Sequence, residues 1–144
     1  MNITAEVLVW LDERYNVSGR SLRIDVPISF WGDVDPETGM LLVARGVTAG
    51  TSIAGSILML ETPRGSSSSS AVILELSQRN LAPAAVILRE TDAILGIGAI
   101  VAAEMGWRAP PFLRLADPAF AQLPQNAVCS VFRDGRVVFS KDRS

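Results

Sequence analysis

The residues with the most chemical potential stand together at Arg64-Gly65-Ser66-Ser67-Ser68-Ser69-Ser70, between two apolar runs. Arg64 is a permanent cation, Gly65 permits close backbone approach and positive φ, and five hydroxyls follow. Ahead of them Ile57-Leu58-Met59-Leu60, bounded by turn residues, reads as a buried strand. Behind them Ala71 to Asn80 reads as a helix that begins inside the serine run. A strand, a Pro-Arg-Gly turn and a serine-capped helix start would gather unpaired backbone N–H groups, hydroxyls and a fixed positive charge. The first four N–H groups of a helix lack partners and carry partial positive charge, so such a place attracts carboxylate or phosphate. Five serines also have the composition of a flexible linker. The tract has no polar spacer on either side, however, and cutting there would leave the preceding strands without covering helices. A binding loop satisfies both facts. The plain alternatives are helix capping for Ser66 and a solvated turn for Arg64.

What the chain lacks narrows the chemistry further. It has no histidine and one cysteine, Cys129, so a histidine-based triad, a histidine metal site, a cysteine-held cluster and an internal disulfide are excluded. The predicted metal ligands of this chain are none. Its 144 residues are 49% hydrophobic with a net charge of −2, which excludes disorder and argues against nucleic acid as a partner. Of thirteen basic residues twelve are Arg and one, Lys141, is Lys, a bias that points to codon composition. The N-terminus has neither the basic start nor the apolar core of a signal peptide. The longest apolar run, Ala93 to Ala103, is too short to span a membrane. A soluble, cytoplasmic protein with no membrane partner is expected.

The elements that must position the loop follow from periodicity. Residues 3–10 are β-rich and read as a strand, residues 12–16 as a polar connection, and Leu22 to Val26 as an alternating strand that Pro27 ends. Asp35-Pro36-Glu37-Thr38-Gly39 is strong turn chemistry, and Met40 to Ala44 reads as the returning strand. Asp33-x-Asp35 with Glu37 has too few oxygen ligands for a calcium loop, and Phe30-Trp31-Gly32 is a poor lead-in for an aspartyl nucleophile. Ala84 to Leu88 reads as a second buried strand and Asp92 as the cap of a helix over 93–105. Gly96 and Gly98 lie inside that helix, which favours close packing over a dinucleotide fingerprint. Residues 110–115 read as a strand, Asp117 to Leu123 as a short helical turn, and 128–132 with 136–139 as a hairpin turning at Asp134-Gly135. Cys129 reads as a packed small hydrophobe. Together these predict a mixed α/β domain, strand-rich first, with βα units and a closing hairpin afterwards.

Ser29-Phe30-Trp31-Gly32-Asp33-Val34-Asp35-Pro36-x-x-Gly39 resembles the signature of the aconitase X swivel domain, or small subunit. So do Ser52-Ile53-Ala54-Gly55, Arg64-Gly65-Ser66-Ser67, Ala82-Pro83-Ala84-Ala85 and Gly98-Ala99-Ile100-Val101-Ala102. The blocks occur in order between Gly19 and Pro111. Asp33 departs from the pattern, which usually carries a second glycine there. The resemblance implies that residues 1–144 form one swivelling β/β/α domain. It also implies a partner, the aconitase X large subunit, whose cysteines hold iron or an iron–sulfur cluster, with no cofactor in this chain.

The family dehydrates hydroxy acids, so the resemblance implies a hydro-lyase that acts only as a complex, the isolated chain being inactive. The activities in view are cis-3-hydroxy-L-proline dehydratase, towards which the Arg-rich composition leans, and mevalonate 5-phosphate dehydratase. By the same resemblance Ser66 takes the substrate proton. Ser67, Ser68 and the backbone at Gly65 would support it, and Arg64 would hold a carboxylate or phosphate. A non-catalytic anion-binding or scaffold module is the alternative from another class.

Overall fold

The computed structural model describes residues 2–24, 30–42, 51–61, 67–90 and 93–140; for 30–31, 67–69 and 93–95 it describes the backbone alone. Two short, wholly apolar segments set the architecture. Strands β4 (Ile57–Leu60) and β5 (Ala85–Leu88) are buried at every position, because parallel strands at the centre of a sheet are covered on both faces. Including the flanking strands β1 (Asn2–Thr4), β2 (Glu6–Val9), β3 (Asn16–Ile24), β6 (Phe112–Arg114), β7 (Val128–Phe132) and β8 (Arg136–Phe139), the order is β1-β8-β7-β3-β4-β5-β6-β2. β3, β4, β5 and β6 run parallel, and the remaining pairings are antiparallel.

The stretch expected as one strand over 3–10 is two strands with different partners. β1 pairs with β8 and β2 with β6, so residues 2–9 bridge the two ends of the strand order. The switch occurs at Ala5, whose N–H donates to the Gly135 carbonyl at 2.8 Å. Gly135 has φ +98°, and a side chain there would strike the Ala5 carbonyl, so the hairpin turn needs glycine for conformation and for space. β3 likewise serves two neighbours: residues 16–20 pair with β7 and residues 21–24 with β4.

Side chains alternate between two cores, as the pleat requires. Leu58, Leu60, Val86, Leu88 and Phe112 face helix α2 (Ser67–Gln78) and helix α3 (Ala93–Glu104), meeting Val72, Ile73, Leu76, Ala99 and Ala102. Ile57, Met59, Ile87 and Leu113 face the other way, onto Trp10, Val17, Phe120, Leu123, Cys129, Val131 and Val137. Phe120 belongs to a 3₁₀ turn, Phe120–Gln122, within the segment expected to be helical.

The 35–39 turn forms as expected: Asp35 accepts from the N–H groups of Glu37 (2.9 Å, through Oδ1) and Gly39 (2.7 Å, through the carbonyl). Two expectations near it are corrected. Phe30–Asp33 is a single helical turn, α1. Of the strand expected over 40–44, the described part makes isolated bridges only, Met40 to Ser52 and Leu41 to Val34. Pro27, Val43 and Ala44 lie outside the described residues.

Candidate functional site

The carboxyl ends of the parallel strands line up in register, Ile24 beside Leu60, Leu88 and Arg114. Helices α2 and α3 both start at this edge, one after β4 and the other after β5. Parallel sheets bind ligands at that edge because successive helix N-termini point their free N–H groups at it. Of the sequence-derived site, Arg64, Gly65 and Ser66 lie outside the described residues. Ser67 and Ser68 form the first residues of α2, so the serine run from Ser67 onward is helix rather than tether.

The start of α2 is held by α3. A Cβ built on Gly98 would come 2.5 Å from the Ser70 carbonyl oxygen and 3.1 Å from its Cα, so the helices meet backbone to backbone. Farther along, Leu76 is fully buried and the buried Ser77 hydroxyl donates to the Ile73 carbonyl at 2.8 Å.

A charged cluster at the same edge went unrecognised in the sequence. The Arg89 Nη1 donates to Glu61 Oε1 at 2.9 Å and to Asp117 Oδ2 at 3.2 Å. These side chains tie the ends of β4 and β5 to the segment after β6. Arg23 donates to the carbonyls of Ala121 (3.1 Å) and Leu123 (2.7 Å). Arg23, Glu61, Arg89 and Asp117, with Phe120, line a depression of about 280 Å³. The available signal was position: Glu61 and Arg89 each follow directly on a wholly buried strand, where the chain first reaches solvent.

The opposite edge carries a second polar group. Asp12, expected in a polar connection, is buried and accepts from Arg14 through Nη2 (2.6 Å), Nε (3.0 Å) and the backbone N–H (2.9 Å). Burial pushes its pKa up, but the Arg14 hydrogen bonds and the charges of Arg14 and Arg108 outweigh that and hold it below the usual carboxylate range. The pair also fixes the Arg14 carbonyl, which accepts from the Trp10 indole at 3.0 Å. Its role is structural: it pins the turn between β2 and β3.

Among the described residues no group of three or more His, Cys, Asp or Glu side chains is placed to hold a metal ion. Cys129 is fully buried and its thiol is pushed up to about 12 by burial, whereas a metal ligand must be thiolate. Among the described residues, therefore, no donor set fits an iron or iron–sulfur centre. No helix among the described residues is long and apolar enough to cross a membrane.

A mixed eight-stranded sheet, with two helices starting at the carboxyl edge of its parallel strands, is the fold shared with aconitase X. Residues 8–139 match the aconitase X swivel domain family, and the chain belongs to it. The fold agrees with the crystal structure of Thermococcus kodakaraensis aconitase X in its holo-form: TM-score 0.82, 30% identity, covering 98% of this chain and 99% of that one. Two named relatives are dehydratases. The cis-3-hydroxy-L-proline dehydratase of Pseudomonas aeruginosa is 39% identical over 102 residues, 71% of this chain but 18% of that protein. The phosphomevalonate dehydratase small subunit of Thermococcus kodakarensis is 45% identical over 75 residues, 52% of this chain and 56% of that subunit. The matches thus span only part of each relative.

Proposed function

We propose that this chain is the small subunit of an aconitase X type hydro-lyase and supplies the proton-accepting serine for dehydration of a hydroxy acid. The observation behind this reading is the start of α2 at the carboxyl edge, braced by Gly98 of α3 against Ser70. Ser66 immediately precedes α2 in the sequence. Free N–H groups at a helix start lower the cost of an alkoxide and thereby make a serine hydroxyl competent as a base. Ser66 takes the proton from the carbon next to the substrate carboxylate. The bond to the neighbouring hydroxyl breaks, the electron pair forms a C=C bond, and the hydroxyl leaves with a proton as water. In this reading Ser67, Ser68 and the backbone at Gly65 support the base, and Arg64 holds the carboxylate.

The favoured substrate is cis-3-hydroxy-L-proline, since the hydroxyproline enzyme matches the larger share of this chain. Loss of the C2 proton and the C3 hydroxyl gives an enamine that tautomerises to 1-pyrroline-2-carboxylate. Mevalonate 5-phosphate is the second substrate to assay, because the small-subunit relatives carry that activity in their names. Nothing in the chain's described donor set activates the departing hydroxyl, so that half of the reaction falls to a larger partner chain, and the isolated chain should be inactive. The test is Ser66→Ala assembled with the aconitase X large chain of the same genome. Turnover should fall by about 10²–10⁴-fold while assembly is kept. Wild-type turnover in that variant removes Ser66 from the mechanism.

A further inference from the structure

Helix α3 carries apolar residues on the side turned away from its own protein. Ala99 and Ala102 are buried against the sheet and Gly98 against α2, yet Ile97 (54%), Ile100 (47%), Val101 (40%) and Met105 (58%) are exposed. At 100° per residue these four, with Glu104 among them, form one continuous outward stripe. Glu104 is the only polar residue from Ala93 to Glu104. A helix that is apolar all round belongs in an interior, and here one side of that interior is missing. Helix α2, packed beside it on the same sheet face, shows the ordinary pattern. Its Val72, Ile73 and Leu76 are buried, while Gln78 is exposed and Glu75 pairs with Arg79 just beyond the helix end.

We infer that the Ile97-Ile100-Val101-Met105 stripe of α3 is the docking surface for the larger dehydratase chain. This rests on the two-chain reading given above. Two observations select that occupant over a second copy of this chain. One side of α3, about 18 Å long at 1.5 Å per residue, offers far less than the roughly 800 Å² per partner of a stable interface. Stacking helix on helix between two copies would therefore fall short, whereas a larger chain can cover the stripe and extend beyond it. In the Pseudomonas relative the matched segment is 18% of one polypeptide, so most of that chain is available to pack on the equivalent domain. The geometry also suits the chemistry. Because α3 begins at the carboxyl edge and Gly98 touches the first turns of α2, a chain seated on the stripe is held beside the N-terminal half of α2.

The test measures the affinity between this chain and the aconitase X large chain of the same genome by titration calorimetry. The variants are Ile97→Glu with Val101→Glu, Ile97→Ala with Val101→Ala, and Leu42→Glu as a control at an exposed apolar position off α3. The charged pair should weaken binding by about 100-fold or more and the alanine pair by about 10-fold, as for truncated interface anchors. The control should bind as wild type, and the isolated variants should keep their melting temperatures. If the charged pair unfolds, the alanine pair decides. Undiminished affinity in the folded variants overturns the inference. So does wild-type self-association that the variants abolish while the mixed complex persists, and so does failure of the wild-type chains to associate. Ser66→Ala should bind at wild-type affinity, so a failed catalytic assignment and a failed interface give different results.

Discussion

Gly98 of α3 lies against the backbone of Ser70 in α2, with room for a hydrogen and none for a methyl group. That contact sets the distance between the first turns of α2 and the middle of α3. It explains why a glycine is placed inside a helix where alanine would be the better helix former.

Gly98→Ala should therefore force the helices apart and cost about 1–3 kcal/mol, the usual penalty of overpacking. Gly96→Ala is the matched comparison: its Cβ would meet only Val9 Cγ2 at 3.7 Å, an ordinary contact, so helix propensity should dominate. That variant should be neutral or gain up to about 1 kcal/mol. Urea unfolding of both proteins measures the difference, and equal stabilities would show that Gly98 is not the contact point.

Arg89 joins Glu61 to Asp117 across the carboxyl edge. All three side chains are partly exposed, so the pairs should contribute little to stability, less than about 1 kcal/mol. Glu61 nevertheless directly follows β4 and precedes Arg64 and Ser66 by three and five residues in the sequence. Arg89→Gln should leave the melting temperature nearly unchanged and lower kcat of the assembled enzyme, with Arg89→Lys restoring part of it. Adding Glu61→Gln to Arg89→Gln should cause little further loss, because both remove one interaction. Additive losses in such a cycle would mean the two residues act separately.

Asp12 should make stability sensitive to acid. Its folded-state pKa lies below the ordinary value of 3.8 despite burial, so the folded protein holds its proton less tightly than the unfolded chain. The stabilisation is fully present above the unfolded-state value and is lost as pH falls through the lower folded-state one. Melting temperature followed from pH 6 towards pH 2 should drop more steeply for the parent than for Asp12→Asn, which lacks this titration. Parallel curves would assign the acid sensitivity elsewhere.

Cys129 should be inert in the folded protein. With its thiol pushed up to about 12, almost no thiolate exists near neutrality, and the residue is fully buried within the second core. A thiol reagent at pH 8 should label the native chain negligibly and the urea-unfolded chain with one equivalent. Rapid native labelling would contradict the burial.

The separate elements were legible from residue pattern. Ile57–Leu60 and Ala85–Leu88 are short apolar runs bounded by turns, and 93–104 is too long and too rich in alanine to be a strand. Asp134-Gly135 marks the hairpin. The boundaries of these elements agree with the sequence reading to within about two residues because burial and turn chemistry are local properties. β3, by contrast, starts at Asn16, well before the alternation expected from Leu22, because its first half is fixed by pairing with β7. The expected identity of the family was legible as well, from blocks of residues in fixed order.

Partnership between distant segments was beyond the reach of local pattern. Residues 3–10 look like one strand, yet the chain switches at Ala5, which meets the Gly135 carbonyl, and is divided between the two ends of the strand order. Asp12 reads as a solvated loop residue until folding closes Arg14 and Arg108 around it. Arg89, Glu61 and Asp117 are unremarkable apart, and become a cluster because parallel strands in register deliver their ends to one edge. The sequence alone determined the buried central strands, the two long helices and the closing hairpin, since those depend on neighbours a few residues away. It did not determine the helical turn at Phe30–Asp33 or the isolated bridges at Met40 and Leu41. Which charged groups meet, and which side of α3 is left uncovered, was decided by tertiary packing, because those depend on what the chain brings back from far along its length.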